Sequence, residues 1–122
     1  MKSACFSLLT IIFCSGCFDW FEPKKNIPGD YYLAPTQGTE WGLYFDLGNA
    51  GHGRMDSVGK IGWTDKYIFA ESNSNYYFLD KTKDEGLLNA NEIVVGPFGR
   101  REFEEMLDSL KIEDFEFEIE FD

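Results

Sequence analysis

The chain has 122 residues, 22 of them acidic and 11 basic, so its formal net charge is −11 and its length is typical of one domain. This charge argues against electrostatic binding to nucleic acid and against a polybasic membrane-binding surface, since both need clustered lysine and arginine. Aromatic residues make up 17% of the chain, whereas disordered acidic chains are poor in them, so we expect a folded protein. With one histidine and three cysteines, the chain offers little common catalytic machinery, and we predict no enzymatic activity, metal or cofactor.

The first 17 residues have the pattern of a bacterial export signal that ends in a modified cysteine. Lys2 precedes an apolar stretch of about ten residues, the usual length in a signal peptide and too short to cross a bilayer. Small residues then precede Cys17, which resembles the lipobox of bacterial lipoproteins. The resemblance implies removal of residues 1–16, lipidation of Cys17, and a lipid-anchored protein on the extracytoplasmic side of the bacterial cell envelope.

Cys14 departs from this pattern, because lipoproteins usually have an aliphatic residue there. Two alternatives therefore stay open: an ordinary secretory signal, and a buried apolar strand of a cytosolic protein. If Cys17 is lipidated, no free thiol remains for a disulfide, and the fold must rest on its core. Residues 17–29 then predict a lipid-anchored linker, since two prolines and a glycine disfavour a regular element, and residues 30–122 predict a single domain.

The domain pattern predicts strands, then one helix, then one more strand. In chain order we expect strands over residues 30–33, 41–47, 54–63, 66–71, 75–80 and 92–95. The strands at 66–71 and 75–80 are expected to form a hairpin around residues 72–74. Gly59 and Gly62 indicate a bulge in the strand at 54–63. We expect loops at 48–53 and 81–91, and a stop to the sixth strand at Gly96-Pro97.

The helix is predicted by four apolar residues at spacings of three and four, which form one stripe: Phe103, Met106, Leu107 and Leu110. Gly99 is a candidate N-cap, and Glu102 suits the positive end of the helix dipole. Arg100 and Arg101 lie at the unfavourable end of that dipole. Two explanations stay open for them, a local salt bridge or solvation at the helix end, and a contact site for a partner.

The last strand is predicted over residues 115–122, where apolar and acidic residues alternate with period two: Phe115, Phe117, Ile119 and Phe121 against Glu116, Glu118, Glu120 and Asp122. We therefore expect an α+β fold, with a small curved antiparallel sheet, one helix packed on it in the C-terminal half, and a final amphipathic strand.

Several runs resemble a family of short, uncharacterised bacterial lipoproteins. They are residues 58–68, with the pattern Ile-Gly-Trp…Lys-Tyr-Ile, residues 76–81, and Gly96-Pro97-Phe98 before Phe103-Glu104. The resemblance covers residues 55–112 and implies the anchor and the fold, but no activity. Compared with that family, segment 82–91 is longer than expected.

The glycine-rich segment 48–53 holds the single histidine, His52. Glycines in such a segment are able to bring backbone amides toward an anion, but no Gly-Lys-Ser/Thr follows and no helix is predicted there, which favours simple turns. His52 has no second histidine or thiol with which to share a metal, so we expect a solvated loop side chain, with a ligand or catalytic base as the alternative. The serines have only His52 as a base, and no nucleophile–base set is apparent.

Acidic and amide side chains in the segment after residue 79 raise the question of a cation site. They form two sets: Asp80, Asp84 and Glu85, and Asn89, Asn91 and Glu92. Neither set has the ligand spacing of a calcium-binding loop, so we expect solvated loop acids.

Acidic residues are concentrated at the C-terminus, where residues 102–122 hold ten acids and a single base, Lys111. One interpretation is a charged strand that blocks edge pairing and keeps the domain soluble. The other is a docking face for a basic protein partner, with Glu116, Glu118 and Glu120 as binding residues and Arg100 and Arg101 beside them. Our leading hypothesis is a non-enzymatic, protein-binding lipoprotein. The alternatives are a structural envelope component, or an immunity-type lipoprotein that neutralises a toxin.

Overall fold

Two antiparallel sheets form most of the protein in the computed structural model, which describes residues 24–36 and 40–121. The predicted signal peptide, Cys17 and Asp122 lie outside the described residues. The first sheet contains β1 (Lys25–Ile27), β2 (Tyr31–Pro35), β3 (Trp41–Asp46) and β4 (Gly51–Met55), in that spatial order.

The second sheet has the order β8-β7-β6-β5-β9. Its strands are β5 (Val58–Trp63), β6 (Tyr67–Ser72), β7 (Asn75–Asp80), β8 (Val95–Phe98) and β9 (Ile119–Glu120). A short 3-10 helix (Lys81–Lys83) and the single-turn helix α1 (Ala90–Ile93) lie between β7 and β8, and the main helix is α2 (Arg100–Ser109). The α+β class is confirmed, but with two sheets where one was predicted.

The inner faces of the two sheets pack against each other and form the first core. Its buried residues come from both sheets and from α1: Ile27, Tyr31, Leu33, Leu43, Val58, Ile61, Ile68, Ala70, Leu79 and Ile93. Fully burying one side chain of this size contributes about 1.5–3 kcal/mol. Because this core needs both sheets, neither sheet buries its apolar face alone.

The outer face of the second sheet is covered by α2 and by residues 110–118, which together form a third layer. Phe69 and Tyr76 on the sheet and Phe103 on α2 are buried there. Tyr76 stacks on Phe103 with ring centroids 4.6 Å apart, and Phe115 meets Phe69 edge-on at 4.9 Å. The second sheet is therefore covered on both faces, which explains why β6 and β7 are apolar and aromatic on both sides rather than strictly alternating.

The hairpin of β6 and β7 is confirmed, and its strands are joined by Asn73 and Ser74. Both residues have positive φ, 51° and 70°, as a two-residue hairpin turn requires. The helix is also confirmed. The Gly99 N–H donates to the Glu102 carboxylate at 2.8 Å, and the chain leaves the helix through Lys111, whose φ is 60°.

The predicted strand at 54–63 is wrong, because it is divided between the two sheets. Asp56 and Ser57 separate β4 from β5, and Ser57 has a left-handed φ of 52°, which turns the chain from one sheet to the other. The bulge that glycine indicated is present, as a register shift between Val58 and Lys60. The loop predicted at 48–53 is also shorter than expected, since β4 begins at Gly51.

The predicted linker is wrong in its last part. Lys25–Ile27 pairs with β2, and Ile27 is buried in the first core despite the neighbouring prolines. The strand predicted at 92–95 is wrong as well. Residues 90–93 form α1, whose start is capped by the Glu92 carboxylate, and β8 runs through Gly96-Pro97 instead of stopping there. As β8 is an edge strand, a proline is compatible with its ladder.

Only two residues of the predicted final strand pair as a strand. Ile119 lies opposite Ile61 and Glu120 opposite Lys60, whereas Phe115 and Phe117 pack into the aromatic third layer. This last segment depends on Gly62, because a Cβ there would lie 2.7 Å from Phe115 Cζ and 2.8 Å from the Glu116 carbonyl oxygen. Packing against α2 therefore replaces strand pairing over most of the segment.

The described chain begins and ends at the same end of the two sheets, around Trp41. The Phe121 ring stacks on Trp41 with centroids 4.8 Å apart, and Lys25 Nζ lies 5.6 Å from the Trp41 ring. Turn 56–57 and turn 73–74 lie at this end too, because the registers of both sheets place Met55 and Ser72 there.

Candidate functional site

Exposed acidic residues are concentrated on α2 and on the segment that follows it, and we call this set of residues the acidic face. It consists of the exposed carboxylates of α2 and of the segment after it: Glu102, Glu104, Glu105, Asp108, Glu113, Asp114, Glu116, Glu118 and Glu120. Glu116, Glu118 and Glu120 are exposed, as their predicted role requires. The acidic face is thus assembled from two segments, and α2 contributes four of its nine carboxylates.

Few basic groups neutralise the acidic face in the described part of the chain. Arg100 Nε lies 3.4 Å from Glu104 and Arg101 Nε lies 4.0 Å from Glu105, and both pairs are well exposed. Such exposed pairs contribute little to stability. The nine carboxylates outnumber the three bases of residues 100–120, Arg100, Arg101 and Lys111, so most of the local charge is unbalanced. The geometry matches the local salt-bridge explanation of the two arginines. Lys60 is opposite Glu120 in the register, with Nζ 5.9 Å from the Phe117 ring.

A second group of polar residues, which was not predicted, is buried between the sheets. Arg54 and Asp84 form a salt bridge whose side chains are completely shielded from solvent. Arg54 Nε donates to Asp84 Oδ2 at 2.7 Å and Arg54 Nη2 donates to Oδ1 at 2.8 Å. The Tyr31 hydroxyl and the Gly86 N–H also donate to this carboxylate, at 2.8 and 2.9 Å. We call these four residues the buried ion-pair network.

The Arg54 side chain reaches the interior because of a bulge in β4. Leu43 pairs with Met55 and Tyr44 with Gly53, so Arg54 is the extra residue between two paired positions. A bulge changes the direction of a side chain, and here it turns arginine toward Asp84. Asp84 in turn fixes segment 81–91 over the open side of the first core.

Hydrogen bonds set the protonation state of the network. Burial alone would raise the pKa of Asp84, but the hydrogen bonds from Arg54, Gly86 and Tyr31 outweigh it and hold that pKa below its usual value. Burial and the neighbouring carboxylate raise the pKa of the Tyr31 hydroxyl. Asp84 is therefore a charged, fully paired group, which corrects our expectation of a solvated loop acid.

His52 lies in β4 rather than in a loop, and it is partly buried. Its Nδ1 is 2.7 Å from the Gly86 carbonyl oxygen, so His52 also fastens segment 81–91 to the first sheet. Within the described residues, no group of three or more histidine, cysteine or acidic side chains is placed to hold a metal ion.

The sequence contains weak signals of this network. Asp84-Glu85-Gly86 is a typical turn in which the aspartate accepts from the N–H two residues later. Arg54 is the only arginine before residue 100, and it comes directly after the glycine-rich segment 48–53. The pairing of the two residues across 30 positions was not predictable from these signals.

Two clefts open at opposite ends of the sheets. One, of about 500 Å³, lies beside the β1–β2 and β5–β6 turns and is lined in part by Tyr31, Phe45 and Trp63. The other, of about 470 Å³, lies beside the β4–β5 and β6–β7 turns and is lined in part by Asp56 and Asn73. Both volumes lie within the range of small-ligand sites.

Comparisons with protein-family models, with curated proteins and with solved structures find no match to this chain. The resemblance to short bacterial lipoproteins accordingly stays a prediction. Among the described residues, no helix is both long enough and apolar enough to span a membrane.

Proposed function

We propose that the protein is a lipid-anchored envelope lipoprotein that binds a basic protein partner through its acidic face, without enzymatic activity. One observation carries the proposal: nine exposed carboxylates lie on α2 and the segment after it, and among the described residues two of them form ion pairs, with Arg100 and Arg101. A field of one sign raises the association rate and orients a partner of opposite charge.

The segment that carries part of the charge is packed against α2, and this supports a binding role. Phe103, Phe115 and Phe117 stack or meet edge-on with ring centroids 5.1–6.2 Å apart, so aromatic packing anchors the residues between the glutamates. Preorganised charges lose less entropy on binding than charges on a mobile tail. Arg100 and Arg101 lie near Glu104 and Glu105 in the first part of α2 and are part of the proposed surface.

An immunity-type lipoprotein is one concrete form of this proposal, in which the partner is a basic toxin captured at the envelope. The second candidate is a structural envelope component that the lipid only holds in place. The unbalanced charge of the acidic face favours the binding role, because a purely structural protein gains solubility from scattered charges as well.

The anchor is tested by the intact mass of the protein purified from its own membranes, with a Cys17→Ser variant as control. We expect a species that lacks residues 1–16 and carries acyl mass, and a control without that mass. An unmodified full-length chain would overturn the anchor and the envelope location together.

The binding role is tested by charge reversal at Glu116→Lys, Glu118→Lys and Glu120→Lys, followed by cross-linking in native membranes and quantitative mass spectrometry. The matched control reverses three exposed acids outside the acidic face, Asp30, Asp65 and Glu85, so both variants change the net charge equally. We expect the first variant to lose one specific cross-linked partner that the control retains. Equal partner recovery from both folded variants would contradict a role for the acidic face.

A further inference from the structure

The cleft beside the β4–β5 and β6–β7 turns has the composition of a ligand site. It has a volume of about 470 Å³, and its apolar side is formed in part by Met55, Ala90 and Val94. Its lining also includes polar groups from the two turns, from α1 and from β7. None of its lining residues belongs to the acidic face, so a ligand site in this cleft is independent of the proposed function.

The polar side chains of this cleft divide into two sets. The hydroxyls of Ser57 and Ser72 donate to Glu40 and to the Asp56 carbonyl, so they are already paired, as is the Arg54 guanidinium. By contrast, four side chains make no hydrogen bond to any other described residue: Asp56, Asn73, Tyr77 and Asn91. These four offer acceptors from a carboxylate, amide groups that both donate and accept, and a phenol that does both.

The backbone positions from which three of these side chains project are well defined. Asn73 lies in the tight hairpin turn with φ 51°, and Asn91 lies in α1, whose start is capped. The Tyr77 ring lies against Gly96, where a Cβ would be 2.6 Å from Tyr77 Cδ2. Tyr77 is half-buried, whereas Asp56, Asn73 and Asn91 are exposed and therefore open to a ligand.

The charge of the lining selects the class of ligand. Arg54 is neutralised by Asp84, and Asp56 then remains as the charged side chain among those that line the cleft. An anion would be repelled by that carboxylate. An organic cation would meet one carboxylate and one aromatic ring, Tyr77. Sites that recognise ammonium ligands surround the cation with several aromatic rings.

We propose that this cleft binds a neutral saccharide. Sugar hydroxyls donate and accept at once, which matches the mixed set of carboxylate, amide and phenol groups. The C–H face of a pyranose ring is apolar and fits against Met55, Ala90 and Val94. A monosaccharide is small, so we expect a dissociation constant in the millimolar range.

The test is titration of the intact, isotope-labelled protein with glucose and with N-acetylglucosamine, followed by amide NMR and calorimetry, and with glycerol as a non-ring polyol. We expect saturable shifts of the Asn73 and Asn91 side-chain amides with at least one sugar and none with glycerol. Absence of saturation with both sugars, or equal shifts with glycerol, would overturn the proposal.

Variants then locate the site. Asn91→Ala and Tyr77→Phe each remove hydrogen-bonding groups and should weaken sugar binding about tenfold. Asn49→Ala, at an exposed asparagine in the turn at the opposite end of the sheets, is the matched control and should leave binding unchanged. If Asn49→Ala weakens binding as much as Asn91→Ala, the sugar does not bind in this cleft. Charge reversal of the acidic face should leave sugar binding intact, so the two proposals fail separately.

Discussion

Asp84 carries a negative charge in the interior of the protein. Its carboxylate accepts four hydrogen bonds, from Arg54 twice, from Tyr31 and from Gly86. Burying two charges is costly, and replacement of such a pair by apolar residues is often neutral. The presence of the buried ion-pair network is therefore better explained by its position, since it fastens segment 81–91 to β2 and β4 of the first sheet.

Asp84→Ala should lower the free energy of unfolding by about 3–5 kcal/mol, because it leaves the Arg54 guanidinium buried without its partner. Urea unfolding of the variant and the parent measures this difference. The double variant Arg54→Met with Asp84→Leu should recover much of the loss. A double variant as unstable as Asp84→Ala would show that the charges themselves, rather than their pairing, stabilise the fold.

The lowered pKa of Asp84 predicts how stability depends on pH. A carboxylate with a folded-state pKa below its unfolded value of about 3.9 contributes stability above that pH. The contribution is lost as the pH falls through the folded-state pKa. Unfolding measured from pH 5 to pH 2 should therefore show a steeper loss in the parent than in Asp84→Asn. Asp80 adds to the slope in both proteins, because hydrogen bonds from Thr82 outweigh burial and lower its pKa. Equal slopes would contradict the assignment to Asp84.

Among the helices and strands, the sequence predicted those elements that residues close together in the chain determine. The hairpin follows from two short aromatic and apolar runs around a polar turn, and α2 follows from a stripe that starts at Phe103. β1 was missed because three residues carry too little pattern, and Ile27 is buried only through its pairing with β2. The bulge at Arg54 was missed because register depends on the partner strand, which lies outside the local window.

The final segment shows how packing overrides a clear strand pattern. Alternation over 115–122 predicted a full strand, yet Phe115 and Phe117 pack against α2 and Phe69. Pairing with β5 forms only at the end of the segment, around Ile119–Glu120. Ile119 and Phe121 pack against the first core instead, so the apolar residues of the segment contact two different cores. The sequence thus predicted which side chains of the segment are buried, but not which element covers them.

Gly62→Ala should lower the free energy of unfolding by about 1–3 kcal/mol, because the new methyl group would displace Phe115 and the backbone of the final segment. Gly53→Ala is the matched control, since nothing lies within 4 Å of a Cβ at that strand position. Thermal unfolding of both variants gives the comparison. Equal destabilisation of the two variants would show that the effect reflects glycine loss in a strand and not the close approach of the final segment.

For the whole molecule, the net charge of −11 opposes compaction, and the acidic face concentrates that repulsion in one layer. Salt screens such charges over about 10 Å at 0.1 M. Stability should therefore rise when salt is added to a low-salt buffer. A variant with Glu116→Gln, Glu118→Gln and Glu120→Gln should be more stable than the parent in low salt and less sensitive to salt. A variant that is less stable than the parent would mean that these carboxylates make stabilising contacts.

The meeting of both ends of the described chain at Trp41 also bears on how the fold is connected. Since Lys25 and Phe121 contact the same indole ring, a short flexible linker would join residue 121 to residue 24 without disturbing either sheet. New termini would fit in the exposed turn at Gly48-Asn49, where the chain makes no buried contacts. Circular permutation would then move the point of attachment from the Trp41 end of the sheets to the end that carries the Gly48-Asn49 turn. The cleft beside the β1–β2 and β5–β6 turns would then face the surface to which the protein is attached.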